Sequence, residues 1–280
     1  MSSKTTGEST VKDESSDETM ISFTDVEKVY GTDPTEESVT ALQGIDLDIT
    51  QGEFVSVVGP SGCGKTTLLH LAAGILEPTD GSVKIAGVDV NGPHHERREL
   101  GLVFQHPVAL QWRTVRKNIL LPVQILKENG AIQEDMNFYR ERVEDLIELV
   151  GLEGFGDAYP NELSGGMQQR VTIAQSLIYQ PSVLLMDEPF GSLDAMTKDE
   201  LNMELLRIWN ETEKTILFIT HDLDEAVFLS DRIVVLSTRP GRIVDDIEID
   251  LPRPRNEDTR SRERFVELTA ELHGHFMSQK

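Results

Sequence analysis

With 280 residues, the chain is long enough to bury a sizeable core as one large domain or two small ones, and no stretch approaches the roughly 18 to 20 consecutive apolar residues that span a bilayer. The polar N-terminus lacks the apolar segment of a signal peptide, and a single cysteine, Cys63, excludes an internal disulfide framework and a cysteine-cluster metal site. The 49 acidic and 26 basic residues give a net charge of −23, which excludes nucleic acid and anionic lipid as partners held by charge alone.

The first part of the chain predicts an acidic tail followed by strands. Residues 1–18 are mostly Ser, Thr, Asp, Glu and Lys, so we expect them to be disordered. β-Type residues then dominate three segments separated by polar turns, which predicts antiparallel strands over Ile21–Tyr30, Val39–Ile49 and Ser82–Val90.

Between these segments lies the most distinctive motif of the chain, from Gly59 to Thr67. It fits G-x-x-x-x-G-K-[ST] and follows an apolar run, Phe54 to Val58, that predicts a buried strand. Glycines let such a loop turn its backbone N–H groups toward phosphate, while Lys65 reaches the outer phosphates and the Thr66 hydroxyl holds Mg²⁺. We therefore predict a nucleoside triphosphate site in this loop, formed by Gly59, Pro60, Ser61, Gly62, Cys63, Gly64, Lys65, Thr66 and Thr67.

The middle of the chain, about residues 107–180, changes to helical periodicity and predicts an inserted helical subdomain. Its clearest helices are expected over Ile119–Lys127 and Met136–Val150. Within it, Ser164 precedes Gly165, Gly166 and a helical run. Serine is a preferred N-cap, and the two glycines leave the amides of this helix start open to an anion.

A β-α-β rhythm follows and predicts a parallel sheet. Its expected strands are Ser182–Met186, Thr215–Thr220 and Arg232–Leu236, followed by a last helix over Arg262–His273. The first of these strands ends at Asp187 and Glu188. Asp187 is placed to hold Mg²⁺ through water and Glu188 to deprotonate an attacking water, the alternative being a surface pair of acidic residues.

Together, the phosphate loop, the Asp-Glu strand end and the Leu-Ser-Gly-Gly helix start resemble the ATP-binding cassette of ABC transporters. The resemblance covers about residues 20–255, and it implies a P-loop NTPase (RecA-like) parallel sheet core with an antiparallel β subdomain and an inserted helical subdomain. We accordingly divide the chain into a tail (1–18), a cassette (19–255) and a C-terminal helix and tail (256–280).

The resemblance also implies roles for further residues. Tyr30 matches the aromatic residue that stacks on adenine, Gln105 the glutamine that contacts Mg²⁺ and water, and His221 the histidine that contacts the γ-phosphate. The alternatives are a strand-edge tyrosine, a polar loop residue and a structural histidine. Asp194 matches the loop that couples two nucleotide sites. The sequence departs from the family pattern at Met167, where glutamine is commonest, and at Gln175, where arginine is usual.

The family's site is bipartite, which implies an ATP-bound head-to-tail dimer with a second copy of the chain. The Ser164–Gly166 segment of one copy would close the phosphate loop of the other. Because the chain has no membrane segment, the resemblance also implies separate transmembrane permease subunits, an extracytoplasmic solute-binding protein, and a peripheral position on the cytoplasmic face of the membrane.

Finer resemblance is to the nitrate, sulfonate and taurine importer branch. It rests on residues 111–115, 187–195 and 237–243 and on Leu251–Arg255, and it makes Trp112 and Arg113 candidates for permease contact. The branch includes relatives for bicarbonate, thiamine precursors and riboflavin, so these substrates remain open. A soluble ABC ATPase without a transport role and a non-catalytic nucleotide-binding regulator are further alternatives.

The charge composition suggests adaptation to high salt. The basic residues comprise 16 Arg and 10 Lys, and a surface poor in Lys but rich in Asp and Glu is associated with proteins that work in molar salt. The alternative is an acidic mesophilic protein with a disordered acidic tail. Folding and activity measured in low salt and in molar KCl distinguish the two.

Overall fold

The computed structural model of the chain describes residues 18–31, 38–92, 99–128 and 135–278. Nearly all of the predicted acidic tail, and most of the polar turn after Tyr30, therefore lie outside the described residues. Among the described helices, none combines the length and the apolar character needed to cross a membrane.

A six-stranded sheet with the order β10-β9-β3-β8-β7-β6 forms the centre of the described fold. All neighbouring strands are parallel except β10, which runs antiparallel to β9. Every residue of β3 and β8 is buried, as expected for parallel strands covered on both faces. In chain order the strands are β3 (Phe54–Val58), β6 (Leu100–Val103), β7 (Val183–Asp187), β8 (Thr215–Ile219), β9 (Arg232–Leu236) and β10 (Ile243–Glu248).

A second, antiparallel sheet has the order β2-β1-β4-β5, with β1 at Thr19–Tyr30 and β2 at Val39–Thr50. The predicted single strand over Ser82–Val90 is wrong. The chain instead forms β4 (Asp80–Ile85) and β5 (Val88–Asp89), joined by a turn in which Ala86 and Gly87 have φ angles of 48° and 76°. These left-handed angles do not fit a continuous strand.

Eight described α-helices complete the fold. The predicted helix over Ile119–Lys127 corresponds to α3 (Leu121–Glu128), which begins two residues later because the preceding helix ends at Ile119 and Pro122 has no N–H to donate to the Asn118 carbonyl. The helices are α1 (Lys65–Ala72), α2 (Val115–Ile119), α3 (Leu121–Glu128), α4 (Met136–Leu149), α5 (Gly165–Leu177), α6 (Ala195–Thr212), α7 (Leu223–Leu229) and α8 (Glu263–Ser278).

Two strands were not predicted, β6 and β10. β6 has only four residues and includes Gly101, so its pattern is weak, and it is a strand because it pairs with β7. β10 lies at the sheet edge and alternates half-buried with exposed residues in an acidic sequence. β6 pairs with a strand distant in sequence (Leu100 with Val183), whereas β10 pairs with β9, the strand directly before it (Ile243 with Leu236).

The apolar core has two parts, one on each face of the central sheet. One cluster joins the sheet to the helices and includes Phe54, Phe190 and Phe218. The other joins it to α1 and the antiparallel sheet. The sheet is therefore clamped between two packed layers, which fixes the loops at the carboxyl ends of its parallel strands.

Candidate active site

The predicted phosphate loop connects the buried strand β3 to the first residue of α1. Gly64 is the N-cap of α1 with a φ of 108°, and no side chain caps the amides of that helix start. A Cβ on Gly64 would lie 2.7 Å from Leu42 Cδ2, so both backbone angle and space require glycine here. The loop therefore presents a helix N-terminus that is suited to an anion.

Lys65 and Cys63 have different positions in this loop. Lys65 is largely buried, and its Nζ donates to the Gly59 carbonyl at 2.8 Å and to the Pro60 carbonyl at 3.2 Å. The Cys63 thiol is buried beneath the loop, where a Cβ on Gly59 would lie 2.7 Å from its sulfur, and burial raises the pKa of this thiol. The ammonium group thus belongs to the loop's functional face, whereas the thiol fills the space below it.

A cleft of about 410 Å³ opens over the loop. Its charged lining residues are the cations Lys65 and Arg239 and the carboxylate Glu188. The sequence pattern places Arg239 in the segment 237–243 and predicts no role for it in the site. The lining residues are Tyr30, Val39, Ala41, Ser61, Gly62, Gly64, Lys65, Thr66, Thr67, Glu188 and Arg239.

Tyr30 stands at the edge of this cleft, at the end of β1. Tyr30 is 40% exposed, and its hydroxyl lies 3.3 Å from the Thr67 hydroxyl. Lys28 places its Nζ 5.4 Å from the ring centroid. An exposed aromatic face beside the phosphate loop can stack on a nucleotide base.

The two strand-end carboxylates have separate partners. Asp187 accepts a hydrogen bond from the Thr66 hydroxyl at 3.3 Å, and burial raises the pKa of its carboxyl group. Glu188 has a φ of 42°, an uncommon angle for a residue with a side chain, and its N–H donates to the Ile219 carbonyl at 2.9 Å. Its Oε2 lies 2.9 Å from His221 Nδ1, so the ends of β7 and β8 bring these two groups together.

Gln105 approaches the same place from the segment after β6. A Cβ on Gly191 would lie 3.4 Å from Gln105 Nε2 and 3.5 Å from Glu188 Oε2, so both side chains converge over this glycine. Phe104, the residue before Gln105, is held by α5, because Gln169 Nε2 donates a hydrogen bond to the Phe104 carbonyl at 3.3 Å. The helix that begins at Ser164 is thereby connected to the backbone beside Gln105.

The helix start at Ser164 has the predicted cap but does not line the cleft in the described part of the chain. The Ser164 hydroxyl accepts from the Met167 N–H at 3.3 Å, and Ser164 and Gly165 are exposed. Gly166 is buried, and a Cβ there would lie 2.6 Å from Thr197 Cγ2. Close packing of α5 against α6 therefore accounts for this second glycine.

Two other predicted positions have structural partners. Asp194 is the N-cap of α6 and accepts from the Thr197 N–H at 3.1 Å, a bond that lowers the pKa of its carboxyl group. Gln175 is buried, and its Nε2 donates to the Asn118 carbonyl at 2.9 Å, which ties α5 to α2. Gln175 thus anchors α5 at the position where the resemblance implies arginine.

A buried polar cluster next to His221 was not predicted. Glu225 in α7 accepts a hydrogen bond from the Thr220 hydroxyl, and burial raises the pKa of its carboxyl group to about 7. Asp222 caps α7 and accepts from Lys198 Nζ of α6 at 2.9 Å. The only sequence signal was an acidic residue in the first turn of a short helix, which is common at helix N-termini.

The structure therefore brings most of the predicted residues to one edge of the central sheet. Tyr30, the phosphate loop and Glu188 share the cleft, while Asp187, His221 and Gln105 contact its members or converge with them. Ser164, Gly165, Gly166 and Asp194 do not line it. A loop of this kind at the carboxyl end of a parallel strand defines a P-loop nucleotide-binding protein.

Comparison with known proteins identifies the family. The sequence model of the ABC transporter family matches residues 42–191 of the chain. An uncharacterized ABC transporter ATP-binding protein of Methanocaldococcus jannaschii is 50% identical over 220 residues, which cover 78% of each chain. The chain belongs to the ABC transporter family and is one of its ATP-hydrolysing cassettes, as the resemblance predicted.

Other similar proteins have more specific names. A taurine import ATP-binding protein of Jannaschia sp. is 47% identical over 210 residues, which are 75% of each chain. A bicarbonate transport ATP-binding protein of Synechococcus elongatus is 48% identical over 216 residues, which are 77% of this chain and 32% of that protein. A dimeric ATP-binding cassette in a post-hydrolysis state with ADP and Pi superposes with a TM-score of 0.70, at 32% identity over 82% of this chain and 99% of that chain. The predicted P-loop fold class is thus confirmed.

Proposed function

We propose that this chain is the ATP-hydrolysing subunit of an ABC importer that takes up a small solute through separate permease subunits. Glu188 carries the proposal, because it lines the cleft over the phosphate loop and also lies 2.9 Å from His221. A carboxylate in that position can activate water beside a bound triphosphate. The similarity to proteins named for taurine and bicarbonate transport supports the importer role.

Nucleotide binding follows from the loop and its neighbours. The uncapped amides at the start of α1 would hold the β- and γ-phosphates, with Lys65 exchanging its carbonyl partners for phosphate oxygens. Tyr30 would stack on adenine. The other proposed nucleotide-binding residues are Gly59, Pro60, Ser61, Gly62, Cys63, Gly64, Thr66 and Thr67, Cys63 contributing through its backbone.

The residues beside Thr66 fit Mg²⁺. Thr66 and Asp187 present oxygen atoms 3.3 Å apart, and the Asp187 carboxyl is half-buried. Oxygen ligands of this kind suit Mg²⁺, and we propose that Thr66, Asp187 and Gln105 hold it. The ion would neutralise charge on the phosphates when it is bound.

Hydrolysis needs a base and a residue that senses the terminal phosphate. We assign Glu188 as the base that takes a proton from the attacking water, and His221 as the residue that contacts the γ-phosphate and orients Glu188. Gln105 would position the same water, since its amide converges with Glu188 over Gly191.

The remaining predicted residues fit a site shared by two chains. Ser164 and Gly165 are exposed outside the cleft, so a second copy could present them, with Gly166, to the γ-phosphate in a head-to-tail dimer. Asp194 would belong to the loop that couples the two nucleotide sites of this dimer. The similar cassette with ADP and Pi is described as dimeric. ATP would then hold two copies together and its hydrolysis would release them.

The permease contact is proposed near the helices α2 and α3. Asn118 is buried and bonds to the backbone of Leu110, Arg113 and Thr114, which fixes the loop that carries Trp112. Trp112 is 74% exposed, and such an exposed aromatic residue on a rigid loop suits a protein contact. A groove of about 380 Å³, lined by apolar residues of β6, α3 and the end of α1, offers a further contact surface.

The proposed partners and location follow from the importer role. We propose a peripheral position on the cytoplasmic face of the membrane and an extracytoplasmic solute-binding protein in the same system. Residues 19–255 would form the cassette and residues 256–280 an appended helix and tail.

The proposed substrate class is a nitrate-, sulfonate- or taurine-like anion. Bicarbonate is the second candidate because of the similarity to a bicarbonate transport protein, and riboflavin or a thiamine precursor is a third. Transport of each solute by the complex reconstituted with its permease distinguishes them. Failure of the chain to co-purify with any permease would favour an ABC ATPase without a transport role.

The variant Glu188→Gln tests the proposed chemistry. It should keep ATP binding but lower turnover by about 10² to 10⁴, since it removes the base and leaves the loop intact, and it should trap an ATP-bound dimer. Phosphate release and light scattering measure the two effects. A variant that hydrolyses ATP at the wild-type rate contradicts the assignment of Glu188.

A further inference from the structure

Arg239 lies in the nucleotide cleft, although none of the roles above uses it. It is exposed and lines the cleft with Lys65 and Glu188. Its Nε donates to the Gly62 carbonyl at 3.3 Å, and a Cβ placed on Gly62 would lie 3.2 Å from one of its Nη atoms. The guanidinium group therefore rests directly against the phosphate loop.

The turn that carries Arg239 is fixed through its backbone to β2 and lies directly against the phosphate loop. Gly241 N–H donates to the Ala41 carbonyl at 2.9 Å, and the Gln43 N–H donates to the Gly241 carbonyl at 3.0 Å. A Cβ on Gly241 would lie 2.1 Å from the Cys63 carbonyl oxygen, so only glycine allows this approach. The position of Arg239 relative to the phosphate loop is thus set by main-chain contacts.

The charge of Arg239 has no acidic partner in the described part of the chain. Its Nη groups make no ion pair or hydrogen bond with the described residues, and only Nε is engaged. The neighbouring Arg232, by contrast, pairs with Glu53 and Asp246 at 2.7 Å each. In a chain with a net charge of −23, an arginine without a carboxylate partner beside the phosphate loop is available for an anion.

We propose, on the basis of the nucleotide site proposed above, that Arg239 binds the phosphate chain of ATP together with Lys65. A guanidinium group presents a planar fork of donors that matches phosphate oxygens, whereas Lys65 acts as a point charge. With Nε held by Gly62, the Nη groups are the donors left for phosphate. The competing explanation is that Arg239 only stabilises the loop through Gly62.

The test compares three variants of the full chain, Arg239→Ala, Arg239→Lys and Arg242→Ala. Arg242 is the matched control because it belongs to the same turn and donates to Gln43 Oε1 at 2.5 Å, but it does not line the cleft. Calorimetric titration with Mg·ATP should show binding about tenfold weaker in Arg239→Ala, an intermediate loss in Arg239→Lys, and a change below about twofold in Arg242→Ala.

Salt dependence separates a phosphate contact from a structural role. The ATP affinity of Arg239→Ala should fall less steeply with KCl than that of the wild type, because one cation–phosphate contact is gone. The unfolding temperature without nucleotide should match the control. Arg239→Gln replaces Arg239→Ala in these measurements if the alanine variant does not fold.

Three results would count against these assignments in different ways. ATP affinity within about twofold of wild type in Arg239→Ala overturns the inference, and so does an equal loss in Arg239→Ala and Arg242→Ala, which indicates a role in the turn alone. A wild-type chain that binds no ATP contradicts the proposed function itself, and the inference is then overturned with it.

Discussion

The helices α1 and α5 both begin at glycine-rich segments, but their N-terminal amide groups have different partners. At α1, Gly64 caps the helix without a side chain, and Lys65 is folded back onto loop carbonyls. At α5, the Ser164 hydroxyl accepts a hydrogen bond from the Met167 N–H, and Gly166 is buried against α6. The first start faces a cleft built by its own chain, whereas the second is exposed outside that cleft.

This difference indicates that two similar helix starts can have different roles toward one nucleotide. The cleft at the α1 start contains two cations, a carboxylate and an aromatic ring, so a nucleotide can be held there by one chain. The α5 start contributes a dipole and one side-chain hydroxyl that already has a partner. It can add positive potential to a phosphate only when another molecule brings that phosphate to it.

Replacing Lys65 should have the largest effect on the α1 side. Lys65→Ala removes the cation that would hold the outer phosphates, so ATP binding and hydrolysis should fall by at least about 10². Calorimetry and phosphate release measure both quantities. Lys84→Ala, an exposed lysine of β4, is the control and should behave as wild type. Retained ATP affinity in Lys65→Ala would remove the basis for assigning the cleft to phosphate.

Ser164→Arg should remove only the proposed contribution of α5, which is its contact with the nucleotide site of a second chain. A bulky cation at this exposed start should block the second chain, so ATPase activity should fall by about 10² while the monomer keeps its ATP affinity. In a Glu188→Gln background, size-exclusion chromatography with light scattering should show monomers at saturating ATP. Ser164→Asn keeps an N-cap oxygen and serves as control. Unaltered dimer formation by Ser164→Arg contradicts the shared site.

At a third helix start, that of α7 beside His221, a buried carboxyl group should make the stability of the fold depend on pH. The pKa of Glu225 is raised by burial to about 7, so its carboxyl group is neutral in the folded protein at pH 5 and ionised at pH 8. The unfolded chain ionises at this position at a lower pH than the folded protein does. The free energy of unfolding therefore decreases as the pH rises from about 4.5 toward 7. Asp222, Lys198 and His221 are the charged or titratable groups that act on Glu225.

Glu225→Gln should therefore gain stability relative to wild type as the pH rises. The difference in unfolding free energy should grow by about 1 to 3 kcal/mol between pH 5 and pH 8. Urea unfolding at both pH values measures it, with the exposed Glu271→Gln as control. A difference that stays constant between these pH values would show that Glu225 does not titrate in this range.

Tyr30 should give the smallest effect. Tyr30→Ala should weaken ATP binding by about three- to tenfold, because an aromatic stacking contact contributes about 0.5–1.5 kcal/mol. Tyr30→Phe keeps the ring and loses only the contact with Thr67, so it should bind nearly as the wild type does. Equal ATP affinities of Tyr30→Ala and wild type would favour the simple strand-edge tyrosine.

Some residues of the site can be predicted from the sequence and others cannot. The phosphate loop and the Asp187–Glu188 strand end were found because each combines a motif with a buried apolar strand, both local features. Arg239 was missed as a site residue because its contact with Gly62 joins residues 177 positions apart. The Glu225 cluster was missed because burial of a carboxylate in a short helix leaves no periodic signal.

The sequence by itself determined the family, the phosphate loop, the principal parallel strands and the N-cap of α5, because short-range spacing and turn chemistry encode them. Only the tertiary structure decided which of these groups share a cleft. Strand order brings Asp187, Glu188 and His221 to the same sheet edge, and packing against α6 explains Gly166. Contacts between distant residues depend on how the layers stack, and no local pattern records that arrangement.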